Sequence, residues 1–321
     1  MGTVVALSAQ VGGAKLADGL YRLRGKDLTV IVNTGDDYEH LGLRFSPDLD
    51  TLLYTLAGIA SGSAGWEPEG ETRAVHAMLK TLGGPDRPLL GDKSLAAVLL
   101  RSHGLADDRR LTEVTAELCT RLGIAARVLP MSDDPVRTHV LTEHGAIPFP
   151  EYFNTMGCEP ALIGFQYAGA EEARLSDEAL DALHARDLEA VVIGPANPYH
   201  AIRPILEVGG MKELLRKRGV PVIAVTPIVG GKALRGSAGK MMRELGKEPS
   251  ARAVATEYLR IVHGFVMDEE DVAYAQSVRS LGIQVAAVNT VMRTIDDRVE
   301  LARAVLEFAR AIREGRLAEA Q

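Results

Sequence analysis

Short runs of branched apolar residues that do not alternate with polar ones constrain this chain most. Residues 4–7, 28–32, 190–193 and 220–225 are the clearest, and 127–129, 264–267 and 285–288 repeat the pattern more weakly. A strand with one wet face alternates apolar and polar residues, whereas a strand covered on both faces does not. Between these runs lie helical periodicities at 95–100, 111–122, 176–185, 211–218, 251–261 and 296–313. Strands separated by helices pair in parallel. The predicted fold is therefore α/β: a three-layer, doubly wound, mostly parallel Rossmann-like sheet.

The 321 residues suit a single α/β domain over 1–321. A strand-free stretch from about 51 to 125, broken by a glycine-rich patch at 58–70, reads as a helical insert. A formal charge of -7 argues against a nucleic-acid partner. No apolar run approaches the ~20 residues that cross a bilayer, so no membrane partner is expected. Two cysteines, Cys119 and Cys158, are too few for a disulfide framework and read as reduced thiols of a cytoplasmic protein.

Open parallel sheets bind ligands at the carboxyl ends of their strands, so the residues just beyond each strand matter most. After the first comes Val11-Gly12-Gly13-Ala14-Lys15, where two glycines and a helix start could admit an anion and Lys15 adds charge. A tight strand-to-helix turn is the alternative. The G-x-G-x-x-G fingerprint is absent, and Asn33 stands where an NAD enzyme usually has an acid, which argues against a dehydrogenase.

After the second strand come Asn33-Thr34-Gly35-Asp36-Asp37 and then Ser46-Pro47-Asp48-Leu49-Asp50-Thr51. Four carboxylates on loops beside an anion site suit Mg²⁺, which takes one or two carboxylates plus phosphate oxygens. Turn formation or helix capping would explain each aspartate singly. Ser132 and Asp133 come after a third strand, Asn197 sits between two prolines after a fourth, and Gly231-Lys232 with Arg235 offers a further diphosphate cradle. Zinc spacing and a serine-hydrolase elbow are both missing.

Together, Val11-Gly12-Gly13-Ala14-Lys15, Val32-Asn33-Thr34-Gly35-Asp36-Asp37, Ser46-Pro47-Asp48-Leu49-Asp50-Thr51, Leu90-Gly91-Asp92, Pro130-Met131-Ser132-Asp133-Asp134-Pro135-Val136 and Gly194-Pro195-Ala196-Asn197-Pro198 resemble the 2-phospho-L-lactate transferase family. The resemblance runs through nearly the whole chain. It implies a Mg²⁺-dependent homodimer acting in coenzyme F-420 biosynthesis. In such an enzyme the ribitol hydroxyl of deazaflavin Fo attacks the distal phosphorus of a guanosine-diphosphate-linked three-carbon acid, and GMP leaves. Asp50, Asp37 and Asp36 become the catalytic candidates, with Asp37 and Asp50 as metal ligands. Gly12, Gly13, Lys15, Asn33, Thr34, Asp92, Ser132, Asp133, Asn197, Gly231 and Lys232 become candidates for substrate and nucleotide binding.

The chain departs from the family pattern at Ala9-Gln10, where glycines are usual, and at Leu89, where a basic residue is common and Arg87 stands two positions earlier. A second reading is a non-catalytic nucleotide-sugar-binding regulator, like the related gluconeogenesis-factor proteins. The Ser-Pro-Asp-Leu-Asp-Thr stretch favours the enzyme.

Overall fold

The computed structural model describes residues 2–234 and 236–316, so Arg235 lies outside the described residues. Seven strands form the central sheet: β1 (Thr3–Ser8), β2 (Leu28–Val32), β3 (Arg127–Pro130), β4 (Leu188–Ile193), β5 (Val222–Val225), β6 (Gly264–Met267) and β7 (Gln284–Ala287). All their pairings are parallel, and their order in space is β7-β6-β5-β4-β1-β2-β3. The unbroken apolar runs result from this placement, since successive residues face opposite helical layers. Val5 and Leu7 pack into one layer with Leu183 and Leu206, while Val4 and Ala6 pack into the other with Leu16 and Val305.

The winding runs one way from β1 to β3 and the other way from β4 to β7. The switch point, where the two adjoining loops splay apart, lies between β1 and β4. Register sets what meets there: Ser8 pairs with Val32, and Leu7 with Ile193. Three strands therefore end at one level, and the segments beginning at Ala9, Asn33 and Gly194 share one rim.

Between β2 and β3 come a hairpin, Tyr38–His40 with Leu43–Phe45, and four helices: α2 (Pro47–Leu56), α3 (Ala74–Thr81), α4 (Asp92–Ala106) and α5 (Leu111–Arg121), after α1 (Gln10–Arg24). Pro47 at the first helical position starts α2 four residues before the expected boundary at 51. A small antiparallel sheet, Gly145–Pro148 with Arg137–Thr142 and Gly164–Ala168, adds to the elements expected from the sequence. Its Arg137–Thr142 strand alternates buried and half-buried residues. The last helix, Ile295–Arg313, opens on a Thr294/Asp297 capping box and lies against α1. Both cysteines are buried and free. No described helix is long and apolar enough to cross a membrane.

Candidate active site

The carboxyl rim of β1, β2 and β4 opens into a cavity of about 450 Å³ bordered by Gln10, Asp36, Asp48, Asp50 and His200. Two segments deliver the acids. The turn after β2 carries Asp36 and Asp37, with Asn33 Oδ1 accepting from the Gly35 N–H at 2.8 Å. The first turn of α2 carries Asp48 and Asp50, where carboxylates are favoured by the helix dipole.

Each acid has a different environment. Asp48 accepts from the Gln10 backbone N–H at 2.8 Å and from Asn33 Nδ2 at 2.9 Å, tying α2 to the ends of β1 and β2. Burial, reinforced by Asp36, pushes its carboxyl up to about 6. Asp37 accepts from Ser46 Oγ at 2.7 Å, while its Oδ1 is buried without a hydrogen-bond partner among the described residues. Desolvation pushes it up to about 8, against the pull of Ser46, Arg137 and Arg101. Asp36 meets His200 Nδ1 at 3.0 Å through one oxygen, and its Oδ1 is likewise buried and unpartnered. Asp50 is gripped through both oxygens by Arg101 of α4, at 3.2 Å for Nη1, and Arg101 itself is only 1% exposed.

Gln10 joins the two loops of the switch point. Its Oε1 accepts the Asn197 N–H at 2.8 Å, which turns its Nε2 toward His200 Nε2 at 3.2 Å. With Gln10 donating, His200 Nε2 must accept. Nδ1 then carries a proton facing Asp36. Gln10 has φ +56°, a left-handed conformation that glycine adopts without strain. A glycine would fit that backbone without strain, and here the side chain fills the gap between the loops.

The next two glycines serve packing. The helix already begins at Gln10, so Gly12 and Gly13 lie in its first turn and not in an open loop. A Cβ on Gly12 would sit 2.2 Å from the Pro195 carbonyl oxygen, and one on Gly13 would sit 2.9 Å from Ser8 Oγ. Lys15 donates to the Met292 carbonyl at 2.9 Å and borders a separate cleft of about 140 Å³ that shares Val11 with the main cavity.

Asn197 uses its Oδ1 to accept from Tyr199 N–H at 2.9 Å, capping the π-helical turn Pro198–Ile202 that carries His200. Thr34 is buried, and its hydroxyl is unpartnered among the described residues. Asp92 accepts from the N–H groups of Ala74 and Val75, both at 2.9 Å, and so caps α3. Ser132 donates to the Arg174 carbonyl and Asp133 accepts from Thr112 N–H at 2.8 Å, stitching neighbouring segments together. Gly231 and Lys232 belong to a two-strand hairpin, Ile228–Val229 with Lys232–Ala233. Of the residues singled out from the sequence, Asp36 and Asp50 line the main cavity, whereas Gly12, Gly13, Lys15, Asn33, Thr34, Asp37, Asp92, Ser132, Asp133, Asn197, Gly231 and Lys232 do not.

Aromatic rings line the same cavity beside the acids. Tyr38 stacks on Phe45 at 4.9 Å, and Phe149 stacks on His200 at 3.9 Å. Trp66 and Phe153 stand half-exposed at the rim. Acids beside a slot of this shape can hold a cation and polyphosphate against a flat conjugated ring. Among the described residues no three His, Cys, Asp or Glu side chains form a ready metal nest. Mg²⁺ needs only one or two carboxylates when phosphate oxygens complete its shell.

Sequence reasoning counts Asp48 among the four loop carboxylates without giving it a role, passes over His200 and Arg101, and treats Gln10 only as a departure. Arg101 does carry a signal: it lies beyond Val98 at helical spacing on the buried stripe of α4, where an arginine implies a buried partner.

Comparison with known proteins completes the assignment. Residues 4–301 match the family model for 2-phospho-L-lactate transferase CofD. The chain is 36% identical over 305 residues to the 2-phospho-L-lactate transferase of Methanosarcina mazei, covering 95% of this chain and 99% of that one. It is 37% identical over 317 residues to the phosphoenolpyruvate transferase of Streptomyces griseus, covering 97% and 99%. A solved structure of a Bacillus halodurans protein of the UPF0052 family shares the fold, with a TM-score of 0.61 at 17% identity over 95% of this chain and 99% of that one. The chain therefore belongs to the 2-phospho-L-lactate transferase CofD family, transferases of coenzyme F-420 biosynthesis.

Proposed function

We propose that the protein joins a phosphorylated three-carbon acid to deazaflavin Fo. The terminal ribitol hydroxyl attacks the distal phosphorus of a guanosine-diphosphate-linked acid, the bond to the bridging oxygen breaks, and GMP leaves as the new phosphodiester forms. One observation carries this reading: a cavity lined by both buried carboxylates and stacked aromatic rings, at the switch point of the sheet.

Phosphoryl transfer passes through a loose transition state, so catalysis rests on positioning and charge. The aromatic wall would hold the deazaflavin ring and aim its ribitol tail at the acids. Asp36, steadied by the His200 Nδ1–H, would accept the hydroxyl proton on its unpartnered oxygen. Asp37 suits a cation ligand, since its buried Oδ1 has no protein partner among the described residues. Asp50 spends one oxygen lone pair on each Arg101 contact and keeps others for an ion. Mg²⁺ bound by Asp37 and Asp50 would neutralise phosphate charge and polarise the acceptor.

Purified protein mixed with Fo, Mg²⁺ and each candidate donor (the lactyl, enolpyruvyl and glyceryl forms) should release GMP with a product of matching mass, and chelator should suppress it. No product from any donor, alongside tight nucleotide-sugar binding, would favour the regulator reading.

A further inference from the structure

Two arginines border the cavity, Arg73 and Arg87. Arg73 is taken by Glu67. Arg87 is exposed on the open side of the cavity and makes no ion pair or hydrogen bond among the described residues, and its sequence neighbour Asp86 is held by Lys80 at 2.9 Å. A second group bordering the cavity is short of a partner. The Tyr54 hydroxyl of α2 is buried, with the residue 4% exposed, and makes no close hydrogen bond among the described residues, although the Ser94 hydroxyl lies within its electrostatic reach. Ser94, the polar group beside it, donates to Glu71 at 2.6 Å.

A buried hydroxyl left unpaired costs free energy unless a ligand completes it. An unpaired guanidinium in the same cavity specifies the ligand's charge, because its planar fork matches a carboxylate. We infer that Arg87 and Tyr54 form an anion subsite for the carboxylate of the transferred acid, and that this contact selects donors bearing an ionised acid. The inference rests on the function proposed above: the acid hangs on the attacked phosphorus, so it must lie in the same cavity as Asp36 and Asp50. Relatives named for two different acids match this chain at 36% and 37%, and the carboxylate is what those acids have in common.

The test is titration calorimetry with Mg²⁺ present, using GDP alone and the guanosine-diphosphate-linked enolpyruvate. Wild type should bind the linked acid more tightly than GDP. Arg87→Ala should weaken the linked acid roughly 10- to 100-fold, the span of a charge-assisted hydrogen bond, and leave GDP within about twofold. Arg87→Lys should recover part of the loss, and Tyr54→Phe should cost a few-fold on the linked acid only. Unchanged melting temperatures would show that all three variants fold. Equal losses for GDP and the linked acid would place the contact on the nucleotide phosphates and overturn the inference, as would unchanged binding in Arg87→Ala. If the linked acid discriminates as expected but nothing transfers to Fo, the subsite stands and the transferase reading falls.

Discussion

Replacing Arg101 with methionine tests whether the acidic floor is held by a buried ion pair. Arg101 is 1% exposed and Asp50 8%, and both Asp50 oxygens face the guanidinium. Removing one partner of such a pair strands the other charge, which costs about 3–5 kcal/mol. Unfolding entropy near 2.1 cal/mol/K per residue, over 321 residues, gives about 0.7 kcal/mol/K. Arg101→Met should therefore lower Tm by roughly 4–7 °C. Asp50→Asn should show a similar loss, because Arg101 is then the stranded charge. The double variant Asp50→Asn/Arg101→Met leaves neither charge buried alone, so it should recover most of the stability. It should recover none of the GMP release if Asp50 acts on the metal or substrate, which separates chemistry from folding. Differential scanning calorimetry on the four proteins, with the transfer assay alongside, completes the cycle. Losses that simply add, or an Arg101→Met variant melting within about 1 °C of wild type, would refute the reasoning.

Asp37 provides a pH test. Its carboxyl, pushed up to about 8 by burial from an ordinary value of 3.8, keeps in the folded state a proton that the unfolded chain releases. The stability it contributes is full below about pH 4 and is lost as pH rises through 8. Asp37→Asn keeps the Ser46 bond and cannot ionise, so in metal-free buffer its advantage in Tm should grow between pH 5 and pH 8; a constant difference would count against burial as the cause. Trp66, the single tryptophan of the chain, is 55% exposed at the cavity rim, so Fo should change its emission on binding and Trp66→Phe should abolish that signal. An unchanged wild-type spectrum at saturating Fo would remove the ring from this wall. Gln10→Gly and Gln10→Ala both lose the bonds to Asn197 and His200, but only alanine keeps a Cβ at φ +56°. The alanine variant should be the less stable by about 1 kcal/mol in urea denaturation, and equal stability would show that the position is unstrained.

All seven central strands are legible in the sequence, the inner ones because a strand buried on both faces has no polar face to show and the edge strand Gln284–Ala287, only half-buried, more weakly. Sequence reading also brings Asp36, Asp37, Asp50 and Asn33 to one place, since strand ends in a parallel sheet share one rim. The antiparallel sheet near residue 140 is less visible, because a short alternating run next to turn residues also reads as a loop.

The one-dimensional chain thus determined the sheet, its parallel sense and the acidic content of one rim, all of which depend on local periodicity and on residues just beyond a strand. Partnership was decided only in three dimensions. Arg101 reaches Asp50 from 51 positions away, and His200 reaches Asp36 from 164. The same holds for Asp92, Asp133 and Gly12, which suggest ligands as a string of letters and in space cap a helix, stitch a loop or admit a carbonyl. A side chain's chemistry is set by what desolvates and faces it, and those neighbours come from distant parts of the chain.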